Sequence, residues 1–111
     1  MKKVEAIIKP FKLDEVREAL VGLGIEGMSV SEVKARDPHA RSARYRGTEY
    51  VVSFAPEIKL EVVVPDQWVA PCINAIQHVA VTDHDDCGEI VVLQVEDMIR
   101  IRTGEHLARA A

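Results

Sequence analysis

The apolar residues of this chain switch between two spacings in a fixed order, and that order restricts the fold more than any other feature. Val4 to Lys9 reads as a strand closed by Pro10. Leu13, Val16, Ala19, Leu20 and Leu23 then recur at helical spacing, with Asp14 and Glu15 in the favourable first turn and Gly22 and Gly24 at the end. Ser29 to Lys34 reads as a second strand. After a long interval Ile58 to Val64 alternates, with Leu60, Val62 and Val64 on one face and Lys59, Glu61 and Val63 on the other. Pro65-Asp66 opens a second helix, with Asp66 as the predicted N-cap. Val69, Cys72, Ile73, Ile76, Val79 and Ala80 line its apolar face, and Pro71 falls near the first turn, where its missing N–H costs little. Ile90 to Val95 is the fourth strand. Arg100-Ile101-Arg102-Thr103-Gly104 reads as a short extended piece before a tail.

Strand, helix, strand, strand, helix, strand is two βαβ halves in tandem, which predicts an α+β, ferredoxin-like (βαββαβ) sandwich in a single domain over residues 1–111. Two helices cover only one face of such a sheet. Yet Ile7 and Ile8 are adjacent, as are Val62, Val63 and Val64, and Val91, Val92 and Leu93, so the strands read as apolar on both faces. A second apolar face needs cover, and another copy of the same sheet is the economical one. A chain this short buries only part of its surface alone, so oligomerisation is a useful source of stability.

The interval from Arg36 to Ser53 shows neither spacing as far as Glu49 and is punctuated by Pro38 and Gly47. It exceeds the ~12–15 residues a structureless connection normally reaches. Arg36, Arg41, Arg44 and Arg46 with Tyr45 and Tyr50 suit it to gripping another protein.

Composition narrows the rest. The chain is 48% hydrophobic and 29% charged, an ordinary globular mixture, and its net charge of -4 argues against a general nucleic-acid binder. Cys72 and Cys87 form no C-x-x-C pair and no zinc pattern. Lys2 and Lys3 are followed by a stretch too short and too charged for a signal peptide, and no apolar run reaches membrane-span length, so a cytoplasmic protein without membrane insertion is expected. The acidic run Asp83, His84, Asp85, Asp86 and Cys87 holds metal-ligand types but fits no known spacing, so no metal site is predicted. His39, His78, His84 and His106 show no base–nucleophile arrangement, which argues against an enzyme.

Four blocks, in order and at nearly constant spacing, carry a resemblance. Residues 1–16 from Met1-Lys2-Lys3-Val4 to Val16, Tyr45-Arg46-Gly47-Thr48-Glu49-Tyr50, Leu60-Glu61-Val62-Val63-Val64-Pro65-Asp66 and Ile99-Arg100-Ile101-Arg102-Thr103-Gly104-Glu105 resemble the PII nitrogen-regulatory signal transduction proteins over essentially the whole chain. The resemblance implies a homotrimer with sheets facing the threefold axis and a long T-loop, here 36–53, projecting from each subunit. It implies ATP or ADP in the clefts between subunits, with nucleotide contacts at Ser29, Thr82, Gly88, Glu89, Arg100 and Arg102, and 2-oxoglutarate near the T-loop base. Arg41, Arg44, Tyr45, Arg46 and Gly47 form the partner-binding tip, and Tyr50 matches the tyrosine that is nucleotidylylated in many bacterial members. Partners implied are an ammonium transporter, another transporter, or a metabolic or signalling enzyme.

The chain departs from the family pattern where effectors bind. The phosphate loop, roughly T-G-x-x-G-D-G-K-I, reads Thr82-Asp83-His84-Asp85-Asp86-Cys87-Gly88-Glu89-Ile90. Glycines that let backbone N–H groups approach phosphate are Asp83 and Asp86, and the phosphate lysine is Glu89. Reversing one charge at ~4 Å moves an interaction by several kcal/mol at an effective dielectric of 20. Arg100 and Arg102, two apart on the predicted extended segment, point to one side and can fork onto an anion; surface charge or a subunit-interface ion pair is the plainer role for both. The T-loop base G-F-G-R-Q reads Ala35-Arg36-Asp37-Pro38-His39 in a loop one residue shorter, and the lysine expected to pair with 2-oxoglutarate is Glu57. The sequence therefore predicts a PII-type regulator with weak or altered nucleotide sensing and a lost or reduced 2-oxoglutarate response. The alternative is a PII-like trimer repurposed for another small effector, or an effector-independent protein-binding module.

Overall fold

β1 (Lys2–Ile8) is the strand on which the sheet is assembled. In the computed structural model, which describes residues 1–45, 48–83 and 88–107 and for 36–53 the backbone alone, the order along the chain is β1, α1 (Leu13–Gly22), β2 (Met28–Tyr45), β3 (Thr48–Val64), α2 (Val69–Ala80) and β4 (Glu89–Gln94). Single 3-10 turns, Pro10–Lys12 and Asp66–Trp68, lead into the two helices. β1 lies between β3 and β4, antiparallel to both, with Lys2 opposite Val64 and Gln94, and Ile7 opposite Lys59 and Glu89. β2 flanks β3 to give the order β2-β3-β1-β4. This is the ferredoxin-like arrangement that the double βαβ pattern predicts.

The strand alternation places the core as read from sequence. Val4, Ala6 and Ile8 of β1 and Ile58, Leu60, Val62 and Val64 of β3 are buried beneath Val16 and Leu20 of α1 and Cys72, Ile76 and Ala80 of α2. α1 stops where Gly24 takes φ 85, a conformation open to glycine. Desolvation in this core pushes the Cys72 thiol up, which suits an inert packing role.

The face turned away from the helices is less apolar than predicted. Alternation puts Ile7, Val63, Val91 and Leu93 there, but also Lys3, Glu5, Lys59 and Glu61. These four charges form a closed cross-strand set: Lys3 Nζ lies 2.7 Å from Glu61 and 3.2 Å from Glu5, and Lys59 Nζ lies 3.5 Å and 3.7 Å from the same two residues. Hydrogen bonds that Lys3 donates to Glu61, then to Glu5, raise the Lys3 pKa, and accepting the first of these lowers that of Glu61. These four charges are balanced two against two, so they do not by themselves bar the partly apolar face from being covered.

Two further expectations are corrected. Asp66 is not the N-cap: it sits in the first turn, where no side-chain cap bond forms, and its carboxylate meets the N-terminal ammonium at 3.0 Å and Lys2 at 3.3 Å. These two cations hold its carboxyl below the usual range. The second concerns residues 36–53, expected as an unpatterned connection. Their backbone continues β2 and β3 as one antiparallel ribbon, from Arg36 opposite Phe54 to Tyr45 opposite Thr48. The register shifts between Arg36 and Arg41, across the segment holding Pro38, which has no N–H to give to a ladder.

Candidate functional site

The residues predicted to touch a nucleotide divide between two ends of the sheet. At one end, β1 begins, β3 finishes and β2 starts, leaving a cavity of about 530 Å³. Ser29, Glu61 and Val64 form its strand wall, with Gly27 just before β2, and Trp68 and Met98 flank it as partly exposed apolar side chains. Ser29 opposes Glu61 in the ladder, so its hydroxyl side shares the face of the charged set. Cavities with an apolar flank and a few polar groups are suited to a flat heteroaromatic ring.

Met98 brings the C-terminal segment to this cavity. The predicted extended piece Arg100–Gly104 is in fact a tight turn at the tip of a small hairpin. Arg100 N–H donates to the Glu105 carbonyl at 2.9 Å, Gly104 N–H to the Arg100 carbonyl at 2.7 Å, and Leu107 N–H to the Met98 carbonyl at 2.7 Å, with Ile99 bridged to His106. Gly104 takes φ 71 to close the turn, which is why the extended reading fails. The two arginines therefore do not share one side of a strand. They flank a wholly exposed Ile101 on a protruding tip, and the Arg100 guanidinium lies 3.8 Å from the Glu105 carboxylate. The hairpin is clasped by His106 Nδ1 on Asp97 Oδ2 at 2.5 Å, while Asp97 Oδ1 accepts the Met98 N–H at 2.8 Å. Sequence reasoning missed this clasp; its signal was a Gly104 turn between residues of opposite polarity.

At the other end, α2 finishes and β4 starts. A second cavity of about 340 Å³ is walled by Ile7, Ile8, Val81, Gly88, Glu89 and Ile90. Thr82 and Asp83 follow α2. Gly88 has φ 112, and a Cβ placed there would meet the Ile7 carbonyl oxygen at 1.8 Å, so glycine is demanded by the approach of the chain to β1. Glu89 stands opposite Ile7 on the uncovered face, as an exposed carboxylate. His84, Asp85, Asp86 and Cys87 lie outside the described residues, and no cluster with metal-ligating composition occurs among the described ones.

Four residue steps of β1 separate the two ends, from Lys3 to Ile7, or roughly 13 Å at ~3.3 Å per residue. Within one chain Ser29, Arg100 and Arg102 thus belong to one end and Thr82, Gly88 and Glu89 to the other. Of the partner-binding positions, Arg41, Arg44, Tyr45 and Tyr50 have backbone in the ribbon, while Arg46 and Gly47 lie outside the described residues.

At the root of the ribbon is a pair that sequence spacing does not reveal, because its members are 48 residues apart. Lys9 Nζ donates to Glu57 Oε1 at 2.8 Å. Glu57 is the one charged residue buried among the described residues, at 7% exposure, and its Oε2 has no hydrogen-bond partner there.

The family model described as Nitrogen regulatory protein P-II matches residues 1–105. The chain is 54% identical over 106 residues to the Nitrogen regulatory protein P-II of Haemophilus influenzae and 53% identical to that of Pasteurella multocida. It is 52% identical to the Nitrogen regulatory protein P-II 1 of Escherichia coli, and in all three cases 95% of each chain is covered.

Proposed function

The chain belongs to the P-II nitrogen regulatory protein family, and on that premise we propose a homotrimeric cytoplasmic regulator whose nucleotide sites are assembled between subunits and bind ATP or ADP weakly. Its role is PII signal transduction in nitrogen regulation. No helix among the described residues is long and apolar enough to cross a membrane.

The observation that carries the subunit arrangement is the division of the predicted nucleotide contacts between opposite ends of one sheet. Contacts divided in this way suit a ligand held between two chains. Two copies packed through the partly apolar face bring the Ser29–Arg100–Arg102 end of one against the Gly88–Glu89 end of the next. The base then lies in the cavity by Ser29, Trp68 and Met98, and the phosphates run toward Arg100 and Arg102. Glu89 opposes those phosphates, and the charge that the family uses for attraction is reversed. The T-loop ribbon carries Arg41, Arg44, Tyr45, Arg46 and Gly47 to a transporter or enzyme, with Tyr50 as the modification position. The chain's contribution is binding and regulation, not catalysis.

Titration calorimetry with ATP and ADP tests the electrostatic part. Glu89→Lys combined with Asp83→Gly and Asp86→Gly is expected to tighten ATP by at least tenfold, since several kcal/mol of repulsion become attraction and ~1.4 kcal/mol is tenfold. An unchanged affinity counts against the charge-reversal reading.

A further inference from the structure

The C-terminal hairpin keeps its anchor at one end and its arginines at the other. Met98 flanks the cavity beside Trp68, while Ile101, between Arg100 and Arg102, is fully exposed. Among the described residues, none of the buried core comes from 96–107. Polar bonds therefore set the shape of the hairpin: Arg100 with Glu105 and Leu107 with Met98 through the main chain, and His106 Nδ1 on Asp97 Oδ2 between side chains. Asp97 grips both limbs at once, because its Oδ1 accepts the Met98 N–H at 2.8 Å while Oδ2 meets the imidazole across the turn. Both side chains are partly exposed, so solvent protons reach them.

We propose that Asp97 and His106 are positioning residues for the arginine tip, and that protonation of His106 tightens their hold. This rests on the reading of Arg100 and Arg102 as anion-binding residues. An ionised carboxylate only accepts, so the imidazole meets it through an Nδ1–H. A neutral imidazole has that proton in one of two tautomers; an imidazolium has it always and adds opposite charge. The charged clasp is therefore complete at acid pH and is lost as pH rises through the ordinary imidazole range near ~6.5. The other charged groups on this segment are Glu96, Arg100, Arg102 and Glu105, with Arg100 and Glu105 3.8 Å apart. Across the cavity that Met98 flanks stand Glu26, Lys3 and Glu61, the last two held to each other at 2.7 Å. Met1, whose carbonyl accepts the Val95 N–H, keeps its ammonium on Asp66 at 3.0 Å. Of these group types, imidazole and the α-amine are the ones that ordinarily change charge between about pH 5 and 8. Substitution of the clasp itself separates His106 from Met1.

The test is hydrogen exchange of the full chain without nucleotide, at about pH 5.5 and about pH 8, on either side of the imidazole range. Protection factors of the Arg100, Gly104 and Leu107 amides report the hairpin, and that of Ala6 in β1 reports the sheet. Hairpin protection in the parent is expected to fall by about two- to fivefold between the two values, the scale of an exposed ion pair, with Ala6 unchanged. Asp97→Asn and His106→Gln, which keep hydrogen-bonding groups but not the charge pair, are expected to remove this dependence. His106→Lys is expected to hold protection at both values. Equal parent protection at both values overturns the proposal. So does a fall shared by Ala6, a dependence that survives either neutral variant, or hairpin amides unprotected throughout. Calorimetry with ATP then compares the parent with Asp97→Asn at each pH, so that titration of the nucleotide itself cancels. The parent's advantage is expected to be about two- to fivefold greater at the acid value. ATP binding with an equal advantage at both values overturns the positioning role. An exchange response without any ATP binding refutes the nucleotide reading instead and leaves the clasp in place.

Discussion

Gly88 and Glu57 show how single positions near the effector loops are fixed by packing before any ligand is considered. In the sequence Gly88 reads as a remnant of a phosphate-binding loop. Its φ of 112 and the Ile7 carbonyl beneath it give a different reason, since the backbone passes where any side chain would collide. Gly88→Ala is therefore expected to destabilise the fold by at least about 1–3 kcal/mol, the cost of a strained or displaced backbone, read from urea unfolding. Stability equal to the parent would show that this loop yields, and that the glycine is kept for ligand contact. Glu57 was visible as a departure from the family pattern, but its partner Lys9 was not. The pairing follows from strand register, and register is set by the whole sheet.

At the level of elements, legibility followed burial. β1, α1, the Ile58–Val64 part of β3 and α2 were readable because one face of each packs into the core around Leu60, Ile76 and Val16, and burial imposes a spacing; among the described residues β2 and β4 reach that core only through Met28 and Ile90 and were readable as short apolar runs. The ribbon was not readable. Before Ile58, β3 lies past the edge of β1 and pairs with β2 alone, so the core reached through β1 does not select an alternation there. The C-terminal hairpin failed for a related reason: its turn is made by main-chain bonds around Gly104, and its clasp joins Asp97 to His106 across it. Tyr50 belongs to this scale, opposite Ala43 in the ribbon ladder. A cognate nucleotidylyltransferase is expected to label Tyr50, located by peptide mass mapping. Label on Tyr45 alone, or on neither tyrosine, would remove Tyr50 as the modified position.

For the molecule as a whole, the uncovered sheet face and the divided cavities point the same way. Ile7, Val63, Val91 and Leu93 surround four mutually neutralised charges, a surface that tolerates burial against a copy of itself. In the proposed assembly each copy lends its neighbour the half of the site that it lacks. Native mass spectrometry of the full chain with ATP counts subunits and nucleotides together and addresses this most directly. Three chains are expected, with nucleotide on the three-chain species and none on a single chain. A single chain that holds ATP unaided would contradict a site shared between subunits.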